Sequence, residues 1–203
     1  MKKPVMLLLT AALCLGLTGC TSGQPPEMAA DGSSWDGGWV TVGGVIGVDA
    51  PEGMDPRENN EALAANGMYY ATWSMGEDEP YTNEDGEEVE LYDAQVYLLL
   101  GRYRSAKEAE STLAQWRDMA SLNYAIGSTA EEAHNGVDFT VITYTFESEA
   151  GPYARGASAF GVYEDCAVSV ELTCREGFDG DAAQLLARFL DRCHYAASYS
   201  QNT

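Results

Sequence analysis

Cys166-Ala167-Val168-Ser169-Val170-Glu171-Leu172-Thr173-Cys174 is the stretch that decides the fold class. Successive side chains of an extended chain point to opposite sides. Cys166, Val168, Val170, Leu172 and Cys174 therefore share one face, and Ser169, Glu171 and Thr173 the other. One apolar and one polar face predict a strand of an antiparallel sheet with one side buried and one side wet. Just upstream, Glu164-Asp165 is a turn, preceded by a second extended run from Ala154 to Tyr163. A third run, Val137 to Phe146, follows Asn135-Gly136, the dipeptide favoured in two-residue type I′ hairpins. Downstream, a final helix from about Asp179 sets Ala182, Leu185, Leu186, Phe189, Leu190 and Cys193 on one side.

The first half supplies the remaining elements. Trp39 to Val48 is β-rich and ends in the turn Asp49-Ala50-Pro51-Glu52-Gly53. Asp55-Pro56-Arg57-Glu58 offers an N-cap, a first-turn proline and an N3 glutamate, which predicts a short helix to Ala65 closed by Asn66-Gly67. Met68 to Met75 reads as a strand, Gly76 to Glu88 as an acidic turn, and Val89 to Tyr103 as a long strand. Ser105-Ala106-Lys107-Glu108 is a capping box. The helix it opens buries Ala106, Ala109, Leu113, Trp116 and Ala120 at helical spacing. The expected architecture is α+β: a mostly antiparallel twisted sheet, with a long central helix and a C-terminal helix packed on one face. Residues 39–197 form a single domain in this reading, and 198–203 a disordered tail.

An opening that ends in Pro51-Glu52-Gly53, a capped helix with inward Trp116, a hairpin series and a closing helix together resemble the PsbP-like fold over residues 39–195. That resemblance implies an accessory or binding protein and carries no catalytic residue over to this chain.

The amino terminus has its own pattern. Lys2 and Lys3 precede an apolar run from Val5 to Leu17, the charge order and length of a secretory signal. The run is too short to span a bilayer, which needs ~20 apolar residues. It ends in Leu17-Thr18-Gly19-Cys20, which resembles the lipobox of bacterial lipoproteins, where a cysteine behind a small residue receives diacylglycerol. Residues 1–19 are then a lipoprotein signal peptide, taking Cys14 with them, and Cys20 is the lipidation site. Each buried methylene of an acyl chain contributes ~0.8 kcal/mol, so two or three chains on one cysteine hold a protein firmly. Residues 20–38, rich in Gly, Ser and Pro, read as a flexible tether. The expected location is the cell membrane, lipid-anchored and facing outside the cytoplasm.

Charge narrows the partners. The chain carries 11 basic and 32 acidic residues, a formal net charge of −21. Without Lys2 and Lys3 the balance is 9 against 32, about −23, and Lys107 is the last lysine. Such a field repels nucleic acid and anionic headgroups. Beyond the leader and the lipidated residue, three cysteines remain. Cys166 and Cys174 lie eight residues apart on one strand, about 26 Å at ~3.3 Å per residue, and cannot join. A helix returning across the sheet covers ~21 Å and sets Cys193 above Cys166. A Cys166–Cys193 disulfide is therefore expected, worth ~3 kcal/mol by loop entropy, with three reduced thiols as the alternative in an anaerobic host.

No reaction is legible. A calcium loop laid on the acidic stretch from Glu77 to Glu88 would need acids at positions 81 and 92, which are Tyr81 and Tyr92, and a solvated hairpin tip near Asp85-Gly86 fits it better. Gly43-Gly44-Val45-Ile46-Gly47 lacks dinucleotide spacing. His134 and His194 assemble no zinc set, and Cys193-His194 diverge in direction, so no metal or cofactor is implied. Tyr69, Tyr70, Trp73, Tyr92, Tyr97 and Tyr103 crowd the first strands, as core and cross-strand pairs or as an aromatic platform. Tyr69, Tyr70 and Trp73 are the candidate binding surface. The expected function is a non-catalytic binding or accessory module of the cell envelope, with an envelope protein, a peptide or a glycan as partner. A scaffold within an envelope complex and an extracellular enzyme without a recognisable motif are the alternatives.

Overall fold

A computed structural model of the chain describes residues 40–60, 66–83, 86–146 and 152–195. Signal peptide, Cys20, tether, Trp39 and residues 196–203 lie outside the described residues, as does the segment 61–65. The elements are β1 (Val40–Val42), β2 (Ile46–Val48), β3 (Met54–Asn60), β4 (Met68–Met75), β5 (Glu79–Thr82), β6 (Glu88–Leu91), β7 (Ala94–Arg102), α1 (Ala106–Asn123), β8 (Ala125–His134), β9 (Val137–Thr145), β10 (Tyr153–Tyr163), β11 (Cys166–Arg175), α2 (Ala182–Leu190) and β12 (Cys193–Tyr195). Seven strands form one antiparallel sheet in the order β3-β4-β7-β11-β10-β9-β8. A three-stranded sheet, β1-β2-β12, and the β5-β6 hairpin complete an α+β molecule.

The stretch read first, β11, is central in the large sheet, and its apolar face meets α2 and the small sheet. Val168, Val170, Leu172, Leu186, Phe189, Leu190, Val42 and Val48 belong to one buried cluster. Its other face is not simply wet. Ala167 is fully buried and Ser169, Glu171 and Thr173 are half-buried, because α1 lies on that side. Ala109, Trp116 and Ala120 pack there against Leu99, Ile142, Tyr144 and Phe160. The two helices thus cover opposite faces, a correction to the expectation of one shared face. Ala167, Phe160 and Ile142 give the second face enough apolar area to need its own cover.

Three further expectations change. The stretch from Asp55 is not helical at its start: β3 pairs with β4 as an edge strand, with a register shift between Pro56 and Glu58. An edge tolerates proline because an outward N–H is not needed, and sheet pairing there overrides the local cap signal. The strand expected from Val89 to Tyr103 is broken at Tyr92-Asp93, where the Asp93 N–H donates to the Met75 carbonyl. Cys193 does not ride the last helix. The chain turns after Leu190, and Cys193 pairs with Val48 in the small sheet.

Other local signals hold. Ser105 caps α1, its hydroxyl accepting from the Glu108 N–H at 3.3 Å, while the Glu108 carboxylate accepts from the Arg104 N–H at 3.2 Å. Asn135 and Gly136 have φ of 49° and 83°, the paired positive values of a type I′ turn. Within the stripe expected on α1, Ala106 is exposed and Leu113 half-buried. Among the described residues no helix is long and apolar enough to cross a membrane.

Candidate binding face

Strand register puts the α1 side of the large sheet into transverse rows. One runs Thr72, Tyr97, Glu171, Ser158, Ile142 from β4 to β9. The next runs Ser74, Gln95, Thr173, Gly156, Tyr144. The buried contacts of α1 gather around β9, β10 and β11, with Leu99 and Met68 at its edge. Tyr70, Thr72, Gln95, Tyr97 and Thr173 are left half-exposed toward the β4 side. Tyr70 stacks on Tyr97, ring centroids 5.2 Å apart at 21°. Arg57 rims this area, donating through Nε to the Ser74 hydroxyl and lying 4.6 Å above the Tyr92 ring. The half-exposed side chains here are aromatic or uncharged polar ones.

The candidate surface Tyr69, Tyr70, Trp73 is divided by the strand itself. Tyr69 and Trp73 are 2% and 1% exposed and belong to the α2 core, where Trp73 meets Phe189 edge-on at 4.9 Å. They offer nothing to a partner, and this corrects that assignment. Tyr70 faces the other way and remains a candidate, joined by Tyr97. The sequence carries this signal in Met68–Met75, where Tyr70, Thr72 and Ser74 alternate with Tyr69, Ala71 and Trp73.

Beside the open area, Glu171 accepts two phenolic hydrogens on one oxygen. Tyr144 donates to Oε1 at 2.6 Å and Tyr124 at 2.8 Å, with the two rings stacked at 4.1 Å. Burial first, and the Glu171 charge second, push both phenols well above the usual tyrosine range. Such hydroxyls keep their protons at neutral pH and go on donating to Glu171, which fixes its side chain. Alternation along the strand places Glu171 on its polar face, but its tyrosine partners lie 27 and 47 residues away, beyond any local pattern.

The cysteines do not form the expected bridge. Cys166, Cys174 and Cys193 are free and buried. Cys166 Sγ lies 3.5 Å from Asp165 Oδ1, and Cys193 Sγ 3.5 Å from the Phe189 carbonyl. The physical reason is the turn after Leu190, which carries Cys193 into the small sheet instead of holding it on the helix above Cys166. Burial and the Asp165 carboxylate push the Cys166 thiol up to about 12, and burial pushes Cys174 up to about 11. Burial raises Cys193 further still. None is a thiolate nucleophile near neutral pH.

His134 is buried between Asp191 on Nδ1 at 2.7 Å and Glu132 on Nε2 at 3.2 Å. It ties the β8-β9 hairpin to the end of α2, away from the Tyr70–Tyr97 area. His194 lies apart on β12. Among the described residues, no three His, Cys, Asp or Glu side chains are placed to hold a metal ion.

No family model matches the sequence, and no curated protein matches it at a significant level. Distant similarities exist among solved structures. A protein from Bacteroides thetaiotaomicron aligns with a TM-score of 0.43 at 12% identity, over 75% of this chain and 45% of that one, so the chain spans less than half of its length. The extracellular domain of PknH from Mycobacterium tuberculosis aligns with a TM-score of 0.40 at 15% identity, over 69% of this chain and 84% of that one. Cyanobacterial PsbP from Synechocystis aligns with a TM-score of 0.39 at 7% identity, over 73% of this chain and 95% of that one.

Proposed function

We propose that this chain is a lipid-anchored, extracytoplasmic lipoprotein whose folded part is a non-catalytic binding or accessory module of the cell envelope. The lipobox Leu17-Thr18-Gly19-Cys20, behind Lys2-Lys3 and an apolar run, supports the location. The binding role rests on one observation: Tyr70 stacked on Tyr97 beside the half-exposed, neutral Thr72, Gln95 and Thr173. Aromatic faces with a polar rim bind by apolar contact and are oriented by a few hydrogen bonds. An envelope protein, a peptide or a glycan fits that chemistry, whereas nucleic acid is repelled by a net charge of −21.

The surroundings of the buried thiols and of Glu171 support a role without turnover. Glu171 is held by two phenols, and the thiols of Cys166 and Cys174 stay protonated at neutral pH. Intact-mass analysis of protein from its own membranes is expected to find a diacylglyceryl group on Cys20 and no residues before it. An unmodified terminus or a retained leader defeats the location. For the binding role, affinity capture from solubilised envelopes should recover one stoichiometric partner. A Tyr70→Ala/Tyr97→Ala variant of unchanged melting temperature should lose it, and equal recovery by that variant defeats the assignment of this face.

A further inference from the structure

The edge of the sheet far from Tyr70 carries a second, independent feature. Strand β8 is ten residues long and pairs with β9 alone, leaving its outer side without a strand partner among the described residues. Ile126 to Glu131 are exposed at every position, so both faces of this stretch are open. Gly127, Ser128, Thr129 and Ala130 are small and let another backbone approach. The opposite edge, β3, carries Pro56, which withholds a backbone donor, and a register shift beside it. β8 has a bulge at Gly127 but no proline and no lysine.

The two ends of β8 differ in chemistry. At its start Ile126 is 38% exposed, and Leu122, in the last turn of α1 just before the strand, is 85% exposed; they are two of the three large apolar side chains that stand out among the described residues. At its far end, Glu131 and Glu132 lie on opposite faces and are held in place. Thr140 donates to both oxygens of Glu131 at 3.0 and 3.2 Å, and Glu132 meets His134 at 3.2 Å. Exposed backbone supplies hydrogen bonds for an added strand, and flanking side chains set which strand it accepts.

We propose that β8 is the docking edge for an extended segment of a partner protein, added antiparallel, with basic residues beside Glu131 and Glu132 and apolar residues beside Ile126 and Leu122. Charge decides the occupant. A second copy of a chain at −21 is repelled over the whole surface, whereas a basic segment is attracted to the acidic end. The inference does not rest on the lipid anchor or on the Tyr70–Tyr97 face.

The test uses the full chain in mild detergent and a ten-residue peptide with two lysines at its N-terminal end and alternating valine and threonine after them. Calorimetric titration should show saturable binding that weakens as salt is raised. Leu122→Asp/Ile126→Asp should weaken it by about tenfold, the effect of ~1.4 kcal/mol. The same peptide N-methylated at alternate residues, which leaves the protein untouched, should not bind. Absence of binding by the parent peptide, or equal binding by the methylated one, overturns the proposal. So does equal binding by the double variant. Sedimentation showing a dimer that Ile126→Asp dissolves would assign the edge to a second copy and overturn it as well.

Discussion

Two kinds of buried phenol separate in this molecule. Tyr144 and Tyr124 give their hydrogens to Glu171, whereas Tyr69 and Tyr195 bury hydroxyls that meet no partner among the described residues. A hydrogen bond to a charged acceptor is worth roughly 1.5–3 kcal/mol, and an unmet buried polar group costs about 1–3 kcal/mol. Opposite signs follow for one chemical change. Tyr144→Phe should destabilise the fold by about 1.5 kcal/mol or more, because it removes one of the two donors holding a half-buried carboxylate. Tyr69→Phe should be neutral or stabilising by up to ~1 kcal/mol, since it removes only an unpaired hydroxyl from a filled site. Urea unfolding of the two variants in one buffer measures the difference. A loss at Tyr69→Phe equal to that at Tyr144→Phe would mean that its hydroxyl has a strong partner after all.

Elements are joined here by the turn between β8 and β9. Asn135 Nδ2 donates to the carbonyls of Asp191 at 2.9 Å, Cys193 at 2.7 Å and Leu190 at 3.4 Å, so a hairpin turn caps the end of α2. The last carbonyls of a helix have no partner within it and need one from outside. Asn135→Gly keeps the positive φ of 49° available but removes the amide, so its cost isolates the cap. About 1–2 kcal/mol is expected, read as a lower midpoint in denaturant. Gly136→Ala is the matching backbone probe. Nothing lies within 4 Å of an added Cβ, so its cost of about 1 kcal/mol comes from φ of 83° alone. Equal stability of Asn135→Gly and the parent would show that water caps the helix as well. The sequence makes the turn legible, since Asn-Gly between two extended runs has one common geometry, but not the cap, whose acceptors lie more than fifty residues on. The same limit explains the other differences. Ser105 and Glu108 specify their helix locally, and the alternation in β11 specifies its strand. Asp55-Pro56-Arg57-Glu58 satisfies local helix rules and is extended because β4 offers an edge. Which face of β11 is covered is decided by where α1 settles, and no periodicity within the strand contains that. The candidate face was half legible for this reason: Tyr70 could be read from the chain, and its pairing with Tyr97 and the open area beside them required the sheet order.

At the scale of the whole molecule, two electrostatic effects act in the same direction as pH rises, and they can be separated. A net charge of −21 strains the compact state through self-repulsion, which salt relieves, since the Debye length falls from about 30 Å at 0.01 M to about 3 Å at 1 M. The melting temperature at pH 7 should therefore rise with sodium chloride. The second effect is burial of neutral acids. Cys166 is pushed up to about 12, Cys174 up to about 11 and Tyr153 up to about 12, each mainly by desolvation. The unfolded chain releases these protons at the ordinary values, near 8.5 for thiols and 10 for tyrosine. Between those values and the folded ones the unfolded state binds fewer protons, so the slope of stability against pH is negative. Stability should then be fully present below about pH 8 and be lost progressively up to about pH 12. Repulsion also grows over this range, but salt screens it, while desolvation of a buried thiol is indifferent to salt. Denaturant unfolding at pH 7, 9 and 10.5 in 1 M sodium chloride should still show the fall, and Cys174→Ala should make it shallower while lowering stability at pH 7. The same burial predicts that a thiol reagent at pH 8 labels none of Cys166, Cys174 and Cys193 until denaturant is added. A stability that is flat with pH in high salt, or native thiols that react at once, would mean that water reaches the core of the sheet and that the cysteines are not held as neutral apolar groups.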